Sequence, residues 1–221
     1  MKNLFGIFTI AALMGLTFTS CNDNDYDYGD QIEQIRQQEV KIDSILTKEK
    51  GIIKSYVEQN YPNAQADTAK YPFQVLDKTT ERGIYYQVLS EPTDDTFEYK
   101  LDASQTRVLY PTWKLKYSVR TLNGDKPFFE DTEGTNYNLT GQNAQKIFTQ
   151  AWMIALFPAK YKVNGQDINF VGLLKNGAKK GSKIRLIVPS DFAYGTQGLS
   201  EKNVSANTPL VYEFEVLEVN Y

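Results

Sequence analysis

Histidine is absent from the 221 residues of this chain, and cysteine occurs only once. Without an imidazole, neither a Ser-His-Asp triad nor a zinc site with histidine ligands can form. A single cysteine excludes internal disulfides and thiolate metal clusters. Chemistry on this chain must therefore come from carboxylates, hydroxyls, lysine, tyrosine and backbone amides, or from the shape of an apolar pocket.

Two further shortages narrow the class of protein. The formal charge is only −3 and the pI about 5.2, so the basic face that a nucleic-acid-binding protein needs is lacking. Beyond the N-terminal leader, no stretch approaches the roughly 20 apolar residues of a membrane span. A hydrophobic content of 41% is ordinary for a chain that buries a core. We expect one domain with an extension, or two small domains, and no nucleic-acid partner.

The N-terminus has the pattern of a secretory leader. Lys2 supplies a positive charge, and residues 4–18 form an uncharged, mostly apolar run that is too short for a comfortable span. The run ends in Phe18-Thr19-Ser20-Cys21, which resembles the lipobox of bacterial lipoproteins. Residues 1–20 are therefore predicted to be a lipoprotein signal peptide and Cys21 to be lipidated; the alternative is an ordinary signal peptide with a chance cysteine.

Residues 21–30 are acidic and contain no aliphatic side chain, which predicts a solvated tether. Acidic residues directly after the cysteine also resemble the surface-export signals of Bacteroidetes lipoproteins, although a plain spacer would look the same. The predicted location is the cell envelope, as an outer-membrane lipoprotein that is either periplasmic or surface-exposed.

A helical region is predicted over residues 31–80. Apolar side chains recur at helical spacing between Asp30 and Tyr61, while Glu39 and Glu49 interrupt the apolar face. Gly51 and the segment 61–63 are break signals. The pattern fits either a dimerising arm or a helix packed against its own domain, and the interruptions favour the second.

Strands are predicted over residues 83–89 and 113–120, with a turn at Asn123-Gly124. Near the C-terminus, residues 181–189 read as a buried strand that proline closes. A tight loop follows over residues 190–195, and residues 208–219 alternate strongly, as a strand with one buried face does.

The C-terminal blocks carry a family resemblance. Residues 181–195 fit the pattern G-x-K-x-x-L-x-(I/V)-P-x-x-x-A-Y-G, and residues 208–217 fit T-x-L-V-(F/Y)-x-(F/V)-E-(V/L)-L. In this order and spacing they resemble the signature of FKBP-type peptidyl-prolyl cis-trans isomerases. The resemblance covers roughly residues 83–221. It implies an α+β fold in which an antiparallel β-sheet wraps around a short helix, preceded by an N-terminal helical arm, with the FKBP-like domain over residues 81–221.

The middle of the resemblance admits two registers. Residues 151–156, Ala-Trp-Met-Ile-Ala-Leu, match the tryptophan that starts the family's short helix. The glycine turn expected soon after lies as far away as Gly181, so residues 157–178 would be an insertion. In the rival register, residues 168–180 form that helix and Val171 replaces the tryptophan. The first register is favoured because the tryptophan and its apolar neighbours match together.

The resemblance implies a set of site residues. Trp152 would be the floor of a prolyl pocket, Tyr194 would donate its hydroxyl to a substrate carbonyl, and Glu130 and Val204 would contact substrate. The aromatic walls would be Tyr117, Phe129 and Tyr212. Two departures weaken the catalytic expectation: Glu130 stands where the family has aspartate, and Ser205-Ala206 replaces a stiff Pro-Pro rim.

The resulting hypothesis is a membrane-anchored peptidyl-prolyl cis-trans isomerase, or folding helper, for exported proteins. Its partners would be proline-containing polypeptides and the membrane, with a homodimer through the N-terminal helix as an option. The resemblance implies no cofactor and no metal. One alternative is a non-catalytic FKBP-like module that binds a peptide or protein. A second is an unrelated β-rich lipoprotein that binds glycans through some of its 15 tyrosines.

Overall fold

A computed structural model describes residues 28–140 and 147–221. The predictions for the signal peptide, for Cys21 and for most of the tether lie outside the described residues. In chain order the helices and strands are α1 (Tyr28–Asn60), β1 (Gln65–Ala66), β2 (Lys70–Pro72), β3 (Thr79–Glu81), β4 (Tyr85–Ser90), β5 (Thr112–Thr121), β6 (Phe129–Asn138), α2 (Gln150–Leu156), β7 (Lys160–Val163), β8 (Gln166–Asn169), β9 (Lys183–Val188) and β10 (Leu210–Asn220).

Six strands form one antiparallel sheet in the order β1-β4-β9-β10-β5-β6. The strands predicted from alternation are present, because side chains along a strand point to opposite faces and one face of each must be buried. In β5 every second residue from Trp113 to Val119 is buried. The two-sheet sandwich that the glycan-binding alternative required is not present in the described residues, and the α+β expectation is confirmed.

The two faces of this sheet are covered by different helices. Tyr212 and Phe214 of β10 face inward and pack in the same cluster as Trp152 of α2. Val211, directly before Tyr212, faces the opposite side together with its pairing partner Ile187 of β9. There the second half of α1 covers the sheet with Ile53 and Val57, both almost fully buried.

Helix α1 is continuous from Tyr28 to Asn60, so the expected break at Gly51 was wrong. Gly51 is exposed, and burial of apolar residues on both sides of it outweighs the roughly 1 kcal/mol that glycine costs a helix. The second half of α1 packs against the domain, as the interrupted apolar pattern favoured. Residues 29–38 are exposed throughout, and Ile32 and Ile35 are 49% and 37% exposed.

The glutamates that interrupt the apolar stripe of α1 belong to its packed face. Glu39 accepts hydrogen bonds from three consecutive backbone N–H groups, those of Gln74, Val75 and Leu76. Glu49 is 2% exposed and accepts two hydrogen bonds from Ser190. Each charged group is satisfied by donors from a distant segment, which is how a buried carboxylate is tolerated.

The insertion over residues 157–178 contains a hairpin of β7 and β8. Its two-residue turn, Asn164-Gly165, has positive φ at both positions, as the tightest hairpin turns require. Phe157 packs against Tyr99, Tyr110 and Trp113 at one end of the inner face. The rival register is wrong, because residues 168–180 contain no helix and Trp152 lies on α2.

Candidate functional site

Trp152 lies at the centre of a cluster of aromatic rings. The helix that carries it is only seven residues long, and five of those residues are buried because α2 fills the concave face of the sheet. Ring centroids lie 4.6 Å from Trp152 for Phe148, 4.9 Å for Tyr117 and Phe214, and 5.5 Å for Tyr137. Most of these contacts are edge-to-face, the arrangement that aromatic pairs prefer.

The indole ring is completely covered. Trp152 has no exposed surface, and its Nε1–H has no hydrogen-bond partner among the described residues. A prolyl ring can therefore reach the indole face only after one of the covering rings moves. Tyr117, Tyr137 and Phe214 are held on strands, whereas Phe148 lies just before α2 on a segment with no regular structure. Phe148 is the covering ring that can move at the smallest cost in broken backbone hydrogen bonds.

Tyr212 and Val204 complete the buried side of the site. Tyr212 is fully buried, and its hydroxyl forms a 3.0 Å hydrogen bond with the hydroxyl of Thr149 at the start of α2. Burial raises the pKa of Tyr212, so the phenol is neutral at physiological pH. Val204 is 4% exposed and is held by reciprocal backbone hydrogen bonds with Leu199, of 2.8 and 3.0 Å.

Tyr194 lies on the loop between β9 and β10. The carbonyl of Ser190 accepts the N–H groups of Ala193 and Gly195, both at 2.8 Å, and so closes a tight turn around Tyr194. Gly195 has a φ of 53°, in the left-handed region that favours glycine. The Tyr194 ring is half-buried, 6.3 Å from that of Phe128. Burial raises the pKa of Tyr194, so its hydroxyl keeps the proton that it would donate.

Phe129 and Glu130 lie on opposite faces of β6. Phe129 pairs with Val119, whose side chain is buried on the inner face, and Lys202 lies 4.8 Å above its ring. Glu130 pairs with Ser118 and is exposed on the other face. The predicted position of Glu130 at the pocket edge is instead taken by Asp131, which pairs with the inward-facing Tyr117.

Asp131 organises the strand that carries it. Its carboxylate accepts hydrogen bonds from the backbone N–H groups of Glu133, Gly134 and Thr135, from the Thr135 hydroxyl, and from the Tyr137 hydroxyl at 2.6 Å. Desolvation opposes ionisation of Asp131, but these donors outweigh it and hold the pKa of Asp131 well below its usual range. The pKa of Tyr137 is raised, by burial and by its bond to Asp131. Asp131 therefore stays charged while Tyr137 stays protonated.

The structure thus brings Trp152, Tyr117, Tyr212 and Val204 into one buried cluster, with Phe129 and Tyr194 packed at its edge. Sequence reasoning missed Phe214, Phe148, Tyr137 and Asp131. Phe214 could have been found, since period two puts it on the face of Tyr212. Phe148 stands four residues before Trp152, the spacing of one helical turn. Nothing in the sequence signalled Tyr137.

These features define the class of protein: an α+β domain whose antiparallel sheet wraps a short helix and encloses an aromatic site. A sequence profile described as FKBP-type peptidyl-prolyl cis-trans isomerase matches residues 109–217. The chain belongs to this family through its C-terminal domain, and the family expected from the sequence is confirmed.

Individual relatives match over part of their length. FKBP-type peptidyl-prolyl cis-trans isomerase FkpA of Escherichia coli strain K12 is 31% identical over 104 residues, which is 46% of this chain and 36% of FkpA. FkpA of E. coli O157:H7 matches with the same figures. The chain thus matches about a third of the length of these relatives.

Solved structures match over more of the chain, at lower identity. The peptidyl-prolyl cis-trans isomerase of Pseudomonas syringae pv. tomato DC3000 is 21% identical with a TM-score of 0.47, and the match covers 80% of this chain and 95% of that one. The crystal structure of FkpA from E. coli is 20% identical with a TM-score of 0.46, over 91% and 74% of the two chains.

Proposed function

We propose that this protein is a peptidyl-prolyl cis-trans isomerase, and a folding helper, for proline-containing polypeptides. The observation that carries the proposal is the arrangement of Tyr194 at the edge of the aromatic cluster around Trp152, within a domain of the isomerase family. Once a covering ring moves, such a site would offer an apolar ring a dry surface, with the Tyr194 hydroxyl at its edge as a donor for a carbonyl.

The reaction depends little on the protein's ionisable groups. Rotation about an X-Pro bond crosses a barrier of about 18–20 kcal/mol that reflects amide resonance, and no covalent bond is broken. Water stabilises the charge-separated form of the planar amide, so an apolar pocket favours the twisted one. Tyr117, Phe129 and Tyr212 would surround the prolyl ring, and Tyr194 would orient the peptide by donating to its carbonyl. Because burial raises the pKa of Tyr194, we expect a flat rate between about pH 6 and 8.

A second candidate function is favoured by the complete burial of Trp152. If Phe148 keeps the indole covered, the domain would bind a peptide or protein partner on its surface without isomerising it. Substitution Phe148→Ala tests this directly, because it removes the covering ring that no strand holds.

The deciding measurement is the isomerisation rate of a short X-Pro peptide, with the full chain purified in mild detergent. Wild type should accelerate the reaction, and the double variant Trp152→Leu, Tyr194→Phe should return it to the uncatalysed rate. Equal rates for both at the uncatalysed level would remove the enzyme proposal. Activity that appears only in Phe148→Ala would support the closed-site alternative.

The proposal includes a lipid anchor at Cys21 in the outer membrane of the cell envelope, with exported proteins as clients. It is supported by the position of the only cysteine directly after a short apolar leader. No helix within residues 28–140 and 147–221 is long and apolar enough to cross a membrane. Labelling with a radioactive fatty acid should mark wild type and not Cys21→Ala. Protease added to intact cells should distinguish surface display from a periplasmic location.

A homodimer through the first half of α1 belongs to the same proposal. It is supported by the exposure of Ile32 and Ile35. The domain buries none of residues 29–38, so this part of α1 is available to a second copy of the chain. Sedimentation of wild type and of the double variant Ile32→Ser, Ile35→Ser tests it, since only wild type should sediment as a dimer.

A further inference from the structure

Helix α1 reaches the loop that carries Tyr194 through one buried side chain. Glu49 is 2% exposed, and its two carboxylate oxygens take separate bonds from the same residue. The backbone N–H of Ser190 donates to Oε2 at 2.6 Å, and the Ser190 hydroxyl donates to Oε1 at 2.7 Å. The two residues stand 141 positions apart in the chain. Two hydrogen bonds to one residue fix both its position and its orientation.

Ser190 in turn fixes the backbone on both sides of Tyr194. Its carbonyl accepts the N–H of Ala193 and the N–H of Gly195, each at 2.8 Å. The carbonyl of Tyr194 accepts the N–H of Gly198 at 3.1 Å, so hydrogen bonds hold the backbone at the tyrosine itself as well as beside it. A displacement of Ser190 therefore passes directly to the residues that flank Tyr194.

We propose that Glu49 is a positioning residue for Tyr194, which makes α1 a working part of the site. Glu49 lies outside residues 109–217, so the family match by itself assigns it no role. The catalytic part of this inference rests on the proposed isomerase function. Its structural part, that Glu49 orders the loop over residues 190–195, stands on the hydrogen bonds alone.

The experiment compares Glu49→Leu with Glu49→Gln in the full chain. Leucine keeps the bulk but accepts no hydrogen bond, so kcat/KM for an X-Pro peptide should fall by roughly tenfold, as small misplacements of a catalytic group do. Glutamine can accept from the Ser190 N–H and donate to its hydroxyl oxygen, so it should retain most of the activity. Ser190→Ala removes one of the two bonds and should give a smaller loss in the same direction.

A double-mutant cycle separates positioning from general destabilisation. In a Tyr194→Phe background, Glu49→Leu should lower kcat/KM no further, because its effect passes through the missing hydroxyl. Val57→Ala is the matched control: it removes buried volume from the same helix, away from the loop, and should lower Tm while its folded form keeps full activity. Additive losses in the cycle, or an equal loss in Glu49→Gln, would overturn the proposal.

A second readout does not depend on catalysis. Amide hydrogen exchange at Ala193 and Gly195, followed by NMR, should accelerate in Glu49→Leu and stay slow in Glu49→Gln. If wild type fails to accelerate isomerisation, the proposed function falls, and exchange still decides whether Glu49 orders the loop. Unchanged exchange in Glu49→Leu would sink the positioning role whatever the activity.

Discussion

Two segments at the edge of the site, residues 129–137 and residues 189–195, are each organised by a single carboxylate, in opposite ways. Asp131 takes all of its hydrogen bonds from residues two to six positions further along its own strand. Glu49 takes both of its bonds from Ser190, 141 residues away. The carboxylate that organises the first segment is local, whereas the carboxylate bound to the second comes from α1 and requires α1 to be docked on the sheet.

The two carboxylates also differ in the direction in which folding shifts their pKa. Several donors hold the pKa of Asp131 below its usual range despite desolvation. Burial raises the pKa of Glu49, and the bonds from Ser190 offset this only in part. At Asp131 the hydrogen-bond donors outweigh the desolvation penalty, whereas at Glu49 part of that penalty remains and the packing of α1 must outweigh it.

The largest expected effect is on the ring cluster that supports the local segment. Trp152→Ala should lower the free energy of unfolding by about 3–5 kcal/mol, because a buried indole in contact with Tyr137 and three other rings is lost. Urea denaturation measures the change. Tyr110→Ala, a substitution of a ring that is 39% exposed, should cost much less; equal losses would show that Trp152 is not the centre of the cluster.

Loss of a buried side chain between α1 and the sheet should lower the free energy of unfolding nearly as much. Ile53→Ala removes a side chain with no exposed surface from the outer cluster and should cost about 2–5 kcal/mol. The adjacent Ile52 is 47% exposed, so Ile52→Ala should change the stability by only about 0.5 kcal/mol. Thermal and chemical unfolding of the two variants give the comparison, and similar losses would contradict the packing of α1 on the sheet.

The two carboxylates should change the free energy of unfolding with pH in opposite directions. The pKa of Asp131 is lowered on folding, so its contribution is present above the unfolded-state pKa of about 4 and is lost as the pH falls toward the folded value. The pKa of Glu49 is raised, so its contribution is present below about pH 4 and is lost as the pH rises through the folded value. The pKa of the neighbouring Asp191 is also raised, by burial and then by Glu49, and adds to the second effect.

Chemical denaturation from pH 3 to 7 checks both signs. Relative to wild type, Asp131→Asn should gain stability toward acid, and Glu49→Gln should gain stability toward neutral pH. Curves that stay parallel to wild type for both variants would show that neither carboxylate titrates differently in the folded protein.

The smallest expected effect is a gain. Gly51 lies inside α1 with open space around its Cβ position, so Gly51→Ala should stabilise the protein by about 0.5–1 kcal/mol. Gly195, at the end of the loop that α1 holds, also has free space but a φ of 53°, so Gly195→Ala should destabilise by about 1–2 kcal/mol. Differential scanning calorimetry resolves changes of this size, and a loss in Gly51→Ala would mean that the helix does bend there.

Much of the site could be read from local sequence. Trp152, Tyr212 and Tyr194 were found because each lies in a short motif whose spacing is kept, and β5 and β10 alternate clearly. The position of Asp131 was missed, although period two puts it on the face of Phe129. The pairing of β5 with β6 also shifts between Leu115 and Tyr117, and no local pattern signalled that irregularity. A slip of one residue reverses the face of every side chain in a strand, and the sequence of one strand does not show its partner's register.

By itself the sequence determined the features that depend on a few neighbouring residues: strands β4, β5, β9 and β10, the tryptophan-bearing helix, the loop of Tyr194 and the helical character of α1. The tertiary structure decided which distant residues meet. It placed Phe148 and Tyr137 over Trp152, turned Glu130 outward, and joined Glu49 to Ser190. The physical reason is range, because backbone propensity and side-chain period act over a few residues. A buried carboxylate, by contrast, takes whichever donor the whole fold brings within hydrogen-bond distance.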